Sequence, residues 1–387
     1  MKKIVIVSSL QIFPALSGGQ LRTANLALAL ADLGHDVCIY SLTGRKNDYV
    51  TFKKSSTEII SSQISEFVNR SLFFGLIQKI FYICKFPPIW IYWILKFYCP
   101  AHLKIQIQSA DLLIADFPFV FEVFKFTTNT KWLNTHNAEF ELWKQGSLLS
   151  NYVKKIEEKA MRAADLILFC SANDSEKFNQ NVIKEKSVLL TNGVRTKYVF
   201  KNINEKNEFK RYLNVPVNKK VFIFTGSQFG PNKQAYIFLK FFTEKNKNIL
   251  IKNNILIMVA GSVCNEIIST EYFKTTGQVN PMDTYLSVSD FGLNPVLEGS
   301  GVNVKMMEYL NIKLPILSTK VGARGLHLKN QDHFWEFTHD NFLEILLLAL
   351  NTESDKIKQM SDLAFKDNFH LLNMVEQLNV ILKERAI

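Results

Sequence analysis

"DFGLNPVLEGSGVNVKMMEYLNIKLPILST" (residues 290–319) decides how this chain folds. It opens on a short apolar run, turns at Gly299, Ser300 and Gly301, and then carries Met306, Met307 and Leu310 at helical spacing. A second apolar run, LPILST, closes it. Strand, glycine loop, helix and strand in that order is the repeating unit of a parallel α/β sheet. If VNVKMMEYL is helical, unpaired backbone N–H groups and the positive end of the helix dipole face the GSG turn, which suits a phosphate. Lys305 adds a cation near the start of the helix, with Asn303 between it and the turn. Glu308 is placed to accept from sugar or ribose hydroxyls, and Glu298, ahead of the turn, from a second sugar-like group. Taken alone, the same residues also read as a tight turn followed by a solvated helix. Neither GxGxxG nor the Walker A pattern is present, which removes the main support for a dehydrogenase or an NTPase. No DxD pair occurs either, so a diphosphate leaving group needs amides and Lys305 in place of a metal.

The same grammar recurs along the chain. "MKKIVIVSSL" is an apolar run that leads into the glycine loop "QIFPALSGGQLRT", with Gly18 and Gly19 adjacent. "ANLALALADLG" repeats leucine and alanine at helical spacing and stops at Gly34. "HDVCIYSL", "ADLLIADF", "TKWLNTHN" and "ADLILFCS" are further buried strands that end in polar residues, where a parallel sheet presents its ligand edge. "KNINEKNEFKRYLNVPVNKK" (residues 201–220) is polar and reads as a linker, after which a second cycle begins. "VFIFTGS", ending on Gly226 and Ser227, and "ILIMVAGS" repeat the strand-to-Gly/Ser ending. The expected architecture is α/β: two Rossmann-like, doubly wound domains facing across a cleft. The expected boundaries are residues 1–200, 201–370, and a closing helix at 371–387 that crosses back to the first domain.

With 387 residues the chain exceeds one ordinary core, and 47% hydrophobic with 21% charged residues is a globular composition. A net charge of +11 favours anionic partners: nucleic acid, phosphorylated substrates or acidic lipid. The five cysteines (Cys38, Cys84, Cys99, Cys170, Cys264) are scattered and never form CxxC, which reads as core residues in a reducing compartment. The N-terminal apolar run is too short for a signal peptide and lacks a small-residue cleavage site, so a cytoplasmic protein is expected.

Residues 67–110 contain no Asp or Glu. Within them, aromatics alternate with Lys79, Lys85 and Lys96 around Trp90 and Trp93, a pattern that suits an anionic membrane surface and a peripheral enzyme. A pair of buried helices is the competing reading. His136, after a strand end in "NTHNAE", is favoured as a ligand-facing residue. Arg22 reads equally as a phosphate ligand and as an ordinary salt-bridging helix residue. Glu139 and Glu141 read as structural, and no histidine set has metal-ligand spacing.

These stretches together resemble the GT-B glycosyltransferases of family 4 over nearly the whole chain. "SGGQLRTANLALALADLGHDV" is similar to that family's first loop and helix, "LNTHNAEFELW" to its histidine segment, and "LLTNGV" to its domain junction. "FTGSQFGPNKQA" is similar to the first loop of its nucleotide-binding half, and residues 290–326 give the most specific match. The resemblance implies a C-terminal domain that binds a nucleotide diphosphate sugar and an N-terminal domain that binds the acceptor. Glu308 would then take the ribose hydroxyls, and Gly299, Ser300 and Gly301 would offer amides. Glu298 would sit near the donor sugar, Gly18 and Gly19 would approach the diphosphate, and His136 would face the transferred sugar. It further implies a retaining hexosyltransferase that uses neither metal nor cofactor, with a glycan acceptor, lipid-linked in bacterial surface polysaccharide synthesis. No recognised motif supports a nucleic acid partner for the basic surface, which is the weaker alternative. Glu298 and Glu308 stand wider apart than the family's glutamate pair. The family's basic pair after the first C-domain strand is not recognisable; Lys233 or Lys305 replaces it, with Lys305 preferred. A protein-acceptor transferase, a nucleotide-sugar epimerase on the same fold, and a non-catalytic GT-B-like partner subunit are the alternatives.

Overall fold

A computed structural model describes residues 1–15, 17–42, 56–69, 72–84, 86–194, 202–299 and 303–384. Two compact units result, Met1–Gly193 with Asn373–Ile387, and Val194–Leu372. Within the described residues the first unit holds β1 (Lys3–Ser8), β2 (Asp36–Ser41), β3 (Ser56–Ser61), β4 (Ile64–Val68), β5 (Leu112–Asp116), β6 (Thr130–Asn134), β7 (Leu166–Phe169) and β8 (Ser187–Leu189). They form one sheet in the order β3-β4-β2-β1-β5-β6-β7-β8, parallel except for the β3–β4 edge. In β1, Val5 and Val7 enter one core while Ile4 and Ile6 enter the other, so helices cover both faces. This is why the strands read as unbroken apolar runs instead of alternating ones.

The second unit repeats the plan with β9 (Lys220–Thr225), β10 (Ile255–Ala260), β11 (Phe273–Thr275), β12 (Phe291–Asn294), β13 (Ile316–Ser318) and β14 (Trp335–Glu336). Their order is β11-β10-β9-β12-β13-β14, and every pairing is parallel. Phe222 and Phe224 face one core, and Val221 and Ile223 the other. The strand order reverses between β10-β9 and β12-β13. The carboxyl ends of β9 and β12 flank that reversal, the switch point where open α/β sheets take ligands.

The stretch 201–220 is not a linker. Asn202 caps the helix Ile203–Tyr212 through the Glu205 amide at 3.0 Å, and Lys206 and Lys210 both reach Asp290 ahead of β12. The units instead join at Gly193–Val194 and Leu372–Asn373. The final helix, Met374–Glu384, packs with the first unit, burying Met374, Leu378, Ile381 and Leu382 in the core that holds β1 and the helix Gly18–Asp32. Gln377 fixes it there by accepting the Thr191 amide at 3.0 Å.

Candidate functional site

In the second unit the helix Val304–Asn311 is seated on the sheet by Tyr309. Its buried hydroxyl lies 3.1 Å from the Leu293 carbonyl, 3.2 Å from that of Ile223, and 3.3 Å from the Thr225 amide. The helix is thereby pinned at Tyr309 against β9 and β12. Asn303 is its N-cap and, among the described residues, makes no side-chain cap; its carbonyl takes the Met306 amide at 3.0 Å. Ser300 and Gly301 lie outside the described residues, so of the expected turn only Gly299 and the exposed Glu298 can be placed.

Lys305 and Glu308 share one face of this helix, three residues apart. Lys305 is only 8% exposed; its Nζ donates to Asn232 Oδ1 at 2.8 Å and sits 4.7 Å from the centre of the Phe224 ring. Burial lowers its pKa to about 7, helped by the charge of Arg324 and opposed by Glu308. Burial raises the half-buried Glu308 to about 7 as well, with Asp283 adding to the rise and Lys305 opposing it. Asn232 is held by its own amide, which donates to the Ser227 carbonyl at 3.2 Å. Lys233 next to it is exposed, so its neighbour's amide, not its own ammonium, joins the buried lysine. Gly226 has no free amide: its N–H donates to Ala260 O at 3.0 Å and its carbonyl accepts from Val263. Its role is to pack the β9 loop on the β10 loop.

Arg324, in the loop after β13, meets the turn directly. A Cβ on Gly299, whose φ is +143°, would lie 2.4 Å from Arg324 Nη2. Only glycine allows that backbone shape with the guanidinium laid against it.

In the first unit the helix Gly18–Asp32 begins at the glycine pair, with Ser17 as its cap. A Cβ on Gly19 would lie 3.3 Å from His136 Nδ1 and 3.4 Å from Phe117 Cζ, so the missing side chain leaves that nitrogen open towards the helix start. The other nitrogen, Nε2, is 2.8 Å from Asp116 Oδ1. Asp116 ends β5 and is fully buried; Ser8, Thr23 and Asn134 also donate to it. Burial alone would raise its carboxyl, yet His136 and these donors hold it below the usual range. Burial lowers the His136 pKa despite Asp116, so the imidazole is neutral at neutral pH. With a carboxylate at Nε2, that nitrogen carries the proton and Nδ1 is an acceptor. Phe117 stacks on the imidazole at 3.8 Å with the rings 4° from parallel, and does so with φ at +75°. That is a strained conformation for a non-glycine residue, of the kind that concentrates at functional sites.

Arg22 plays neither role expected of it. It is 1% exposed and donates to Asn134 and Asn192 side chains and to the carbonyls of Leu168 and Leu190, tying the helix to the ends of β6 and β7. Glu157 accepts the amides of Glu139 and Phe140, and buried Glu139 has its pKa raised to about 7 by desolvation.

The aromatic stretch divides. Trp90, expected at the surface, is 5% exposed and packs in the core beside Phe74, because it falls on the inward face of the helix Ile89–Phe97. Trp93, one turn further along, lies at the edge of that face and is 43% exposed, with Lys96 Nζ 5.0 Å from its ring centre. Phe97, Tyr98, Leu76, Ile80, Ile83 and Phe86 are also exposed. Lys85 lies outside the described residues. Among those described, no helix is long and apolar enough to cross a membrane.

The sequence thus names Lys305, Glu308, Gly299 and His136, and the structure gathers the first three in one unit. Asp116, Phe117, Asn232 and Arg324 were missed as site residues. Asp116 had a signal, since it ends the apolar run LLIAD; Arg324 and Asn232 reach the site only through loop geometry.

Residues 219–342 match the family model described as Glycosyl transferases group 1. A protein of the cps region of Klebsiella pneumoniae, uncharacterised and of 44.6 kDa, is 24% identical over 363 residues, 84% of each chain. Among solved structures, sucrose-phosphate synthase of Thermosynechococcus elongatus superposes with a TM-score of 0.68 at 11% identity, over 99% of both chains. HepE of Anabaena, solved with UDP and glucose, gives 0.67 at 13% identity, over 99% of this chain and 100% of its own.

Proposed function

We propose that the chain, which has the GT-B fold and matches the Glycosyl transferases group 1 model over residues 219–342, moves a sugar from a nucleotide diphosphate sugar to a glycan acceptor. The observation that carries this reading is the pairing of Lys305 and Glu308 on one helix face beside the Gly299 turn. The ammonium and the first-turn amides stabilise charge on the departing diphosphate, in place before reaction begins. Glu308, as a carboxylate, accepts the ribose hydroxyls. In the first unit His136 Nδ1 accepts a hydroxyl of sugar or acceptor, its ring held by Asp116 and Phe117.

The finer reading is of a metal-independent, retaining hexosyltransferase acting on a lipid-linked intermediate of bacterial surface polysaccharide. Its support is the family 4 resemblance, the cps-region relative, and two cations at the glycine turn that can neutralise a diphosphate without a metal. The protein works in the cytoplasm, docking on the anionic inner face of the membrane through Trp93, Phe97 and Lys96. The test is transfer from a panel of sugar nucleotides to a lipid-linked glycan extract, with and without EDTA, the product anomer read by NMR. Nucleoside diphosphate released in step with an EDTA-insensitive, retained product supports the proposal. Folded protein that transfers nothing from any donor rejects it in favour of a non-catalytic subunit.

A further inference from the structure

The first unit carries its ligand-facing groups on loops: His136 follows β6, and Gly18 and Gly19 close the loop after β1. Each loop is held by a buried carboxylate from another element. Glu157, 1% exposed on the helix Leu148–Ala163, accepts the Glu139 amide at 2.8 Å and the Phe140 amide at 3.0 Å. These amides open the short helical turn Glu139–Leu142, which continues the His136 segment. Glu66, fully buried on β4, accepts the Ile12 amide at 2.7 Å and the Phe13 amide at 2.9 Å, in the loop that leads to the glycine pair. Resting on the transferase reading above, we propose that Glu157 and Glu66 are positioning residues for the ligand-facing nitrogen of His136. Each sets one of the two loops that meet there.

The meeting point is tight, since a Cβ on Gly19 would lie 3.3 Å from His136 Nδ1. On the histidine side the strand end is fixed first: the Thr135 amide donates to Leu168 O at 3.1 Å, and Cys170 Sγ donates to His136 O at 2.8 Å. The helix Leu148–Ala163 then grips the following turn twice, through Glu157 at its amides and through Ser150 Oγ, which donates to Phe140 O at 2.9 Å. On the glycine side Gln20 Nε2 donates to Gln11 O at 2.8 Å, so the residues held by Glu66 are tied to the first turn of the helix Gly18–Asp32.

Among the described residues neither carboxylate has a lysine or arginine within ion-pair reach. Ser41 Oγ donates to Glu66, and Glu58 on β3 is the acid that acts on it. The acids that act on Glu157 are Glu139 and Asp174, the latter paired with Lys177 at 3.1 Å. An uncompensated buried charge is costly. Here two charge-assisted bonds to consecutive amides offset it, and those amides would otherwise be buried without an acceptor. The chemistry is specific to a carboxylate, which offers one oxygen to each amide. Glutamine offers one oxygen and turns an NH2 towards the second donor.

The test uses the full chain, isotope-labelled at histidine and glycine, as wild type, Glu157→Gln and Glu66→Gln, with His136→Asn to assign the His136 ring signal by NMR. Glu157→Gln should shift or split that signal and leave the other histidines in place. Glu66→Gln should do the same to Gly18 and Gly19. In transfer assays Glu157→Gln should lower kcat/KM for the acceptor about tenfold or more, while calorimetric affinity for a nucleoside diphosphate changes by less than about twofold. Signals unmoved in folded variants overturn the proposal, because a carboxylate that serves stability alone lowers the melting point without moving them. A moved His136 signal with unchanged kcat/KM overturns it as well. Signals that move in a protein whose wild type transfers nothing from any donor keep the loop assignment and overturn the transferase reading. If a glutamine variant does not fold, hydrogen exchange of the wild type decides. Protection of the two amides its carboxylate holds, equal to that in β6, supports the proposal, and exchange as fast as in exposed loops overturns it.

Discussion

Replacing Lys305 by methionine should make the ligand-free protein more stable and leave it unable to hold a diphosphate. Lys305 is buried, and its pKa falls from 10.5 to about 7. Those 3.5 units, at about 1.4 kcal/mol each, put the destabilisation from a charged lysine there near 5 kcal/mol as an upper figure. Methionine fills nearly the same volume and removes that charge. It also orphans Asn232 Oδ1, at about 2 kcal/mol, and loses the contact with Phe224, at about 1 kcal/mol. About 2 kcal/mol of net gain remains, a rise of roughly 4–8 °C in the melting of a unit this size. The pH dependence gives the sign independently. Below the folded pKa both states carry the proton and the penalty is complete. Between pH 7 and 10.5 the unfolded chain binds a proton that the folded one does not, so wild-type stability rises with pH. The advantage of Lys305→Met should therefore be complete at and below about pH 7, cross zero at about pH 8 and reverse towards pH 10.5, where only the lost contacts remain. Melting curves across that range, with and without nucleotide, measure it. A variant that melts lower than wild type at pH 7 would refute the reasoning and make Lys305 a structural anchor.

Three further outcomes are expected. Binding of a nucleoside diphosphate at pH 8 should take up protons, because the phosphates raise the pKa of Lys305 from about 7; binding enthalpies in buffers of different ionisation heat report this, and zero uptake contradicts it. Gly299→Ala should reduce diphosphate affinity about tenfold or more by forcing Arg324 aside, and should lower the melting too, because a Cβ at a φ of +143° costs about 1 kcal/mol or more. Trp93→Ala with Lys96→Glu should abolish binding to anionic vesicles with melting unchanged, whereas Trp90→Ala should destabilise by about 3–5 kcal/mol; vesicle binding that survives the double change removes the docking surface.

Much of this was legible from residues alone, and the reason lies in what parallel sheets demand. Strands buried on both faces must be apolar throughout, so β1, β9 and β10 announce themselves, and the polar residue that follows each marks the ligand edge. Lys305 and Glu308 are close in sequence and fall on one helix face by periodicity. Arg324 sits 25 residues beyond Gly299, and only the return of the chain through β13 brings them together. Asp116 and His136 come from adjacent strand ends whose register no local pattern fixes. Trp90 misled because a run of aromatics shows no face until the helix is docked. The polar stretch at 201–220 misled because its helix is held by charges from Asp290, far along the chain.

The proposed function requires the second unit to bind a nucleotide diphosphate sugar through Glu308 and Lys305. Saturation-transfer NMR with UDP-, GDP-, ADP- and CMP-linked sugars, on wild type, Glu308→Ala and Lys305→Ala, tests it most directly. Selective saturation of one diphosphate donor is expected, with ribose protons nearest the protein, and its loss in both variants. Saturation of no donor by folded wild-type protein, or of one donor equally in all three proteins, would contradict it.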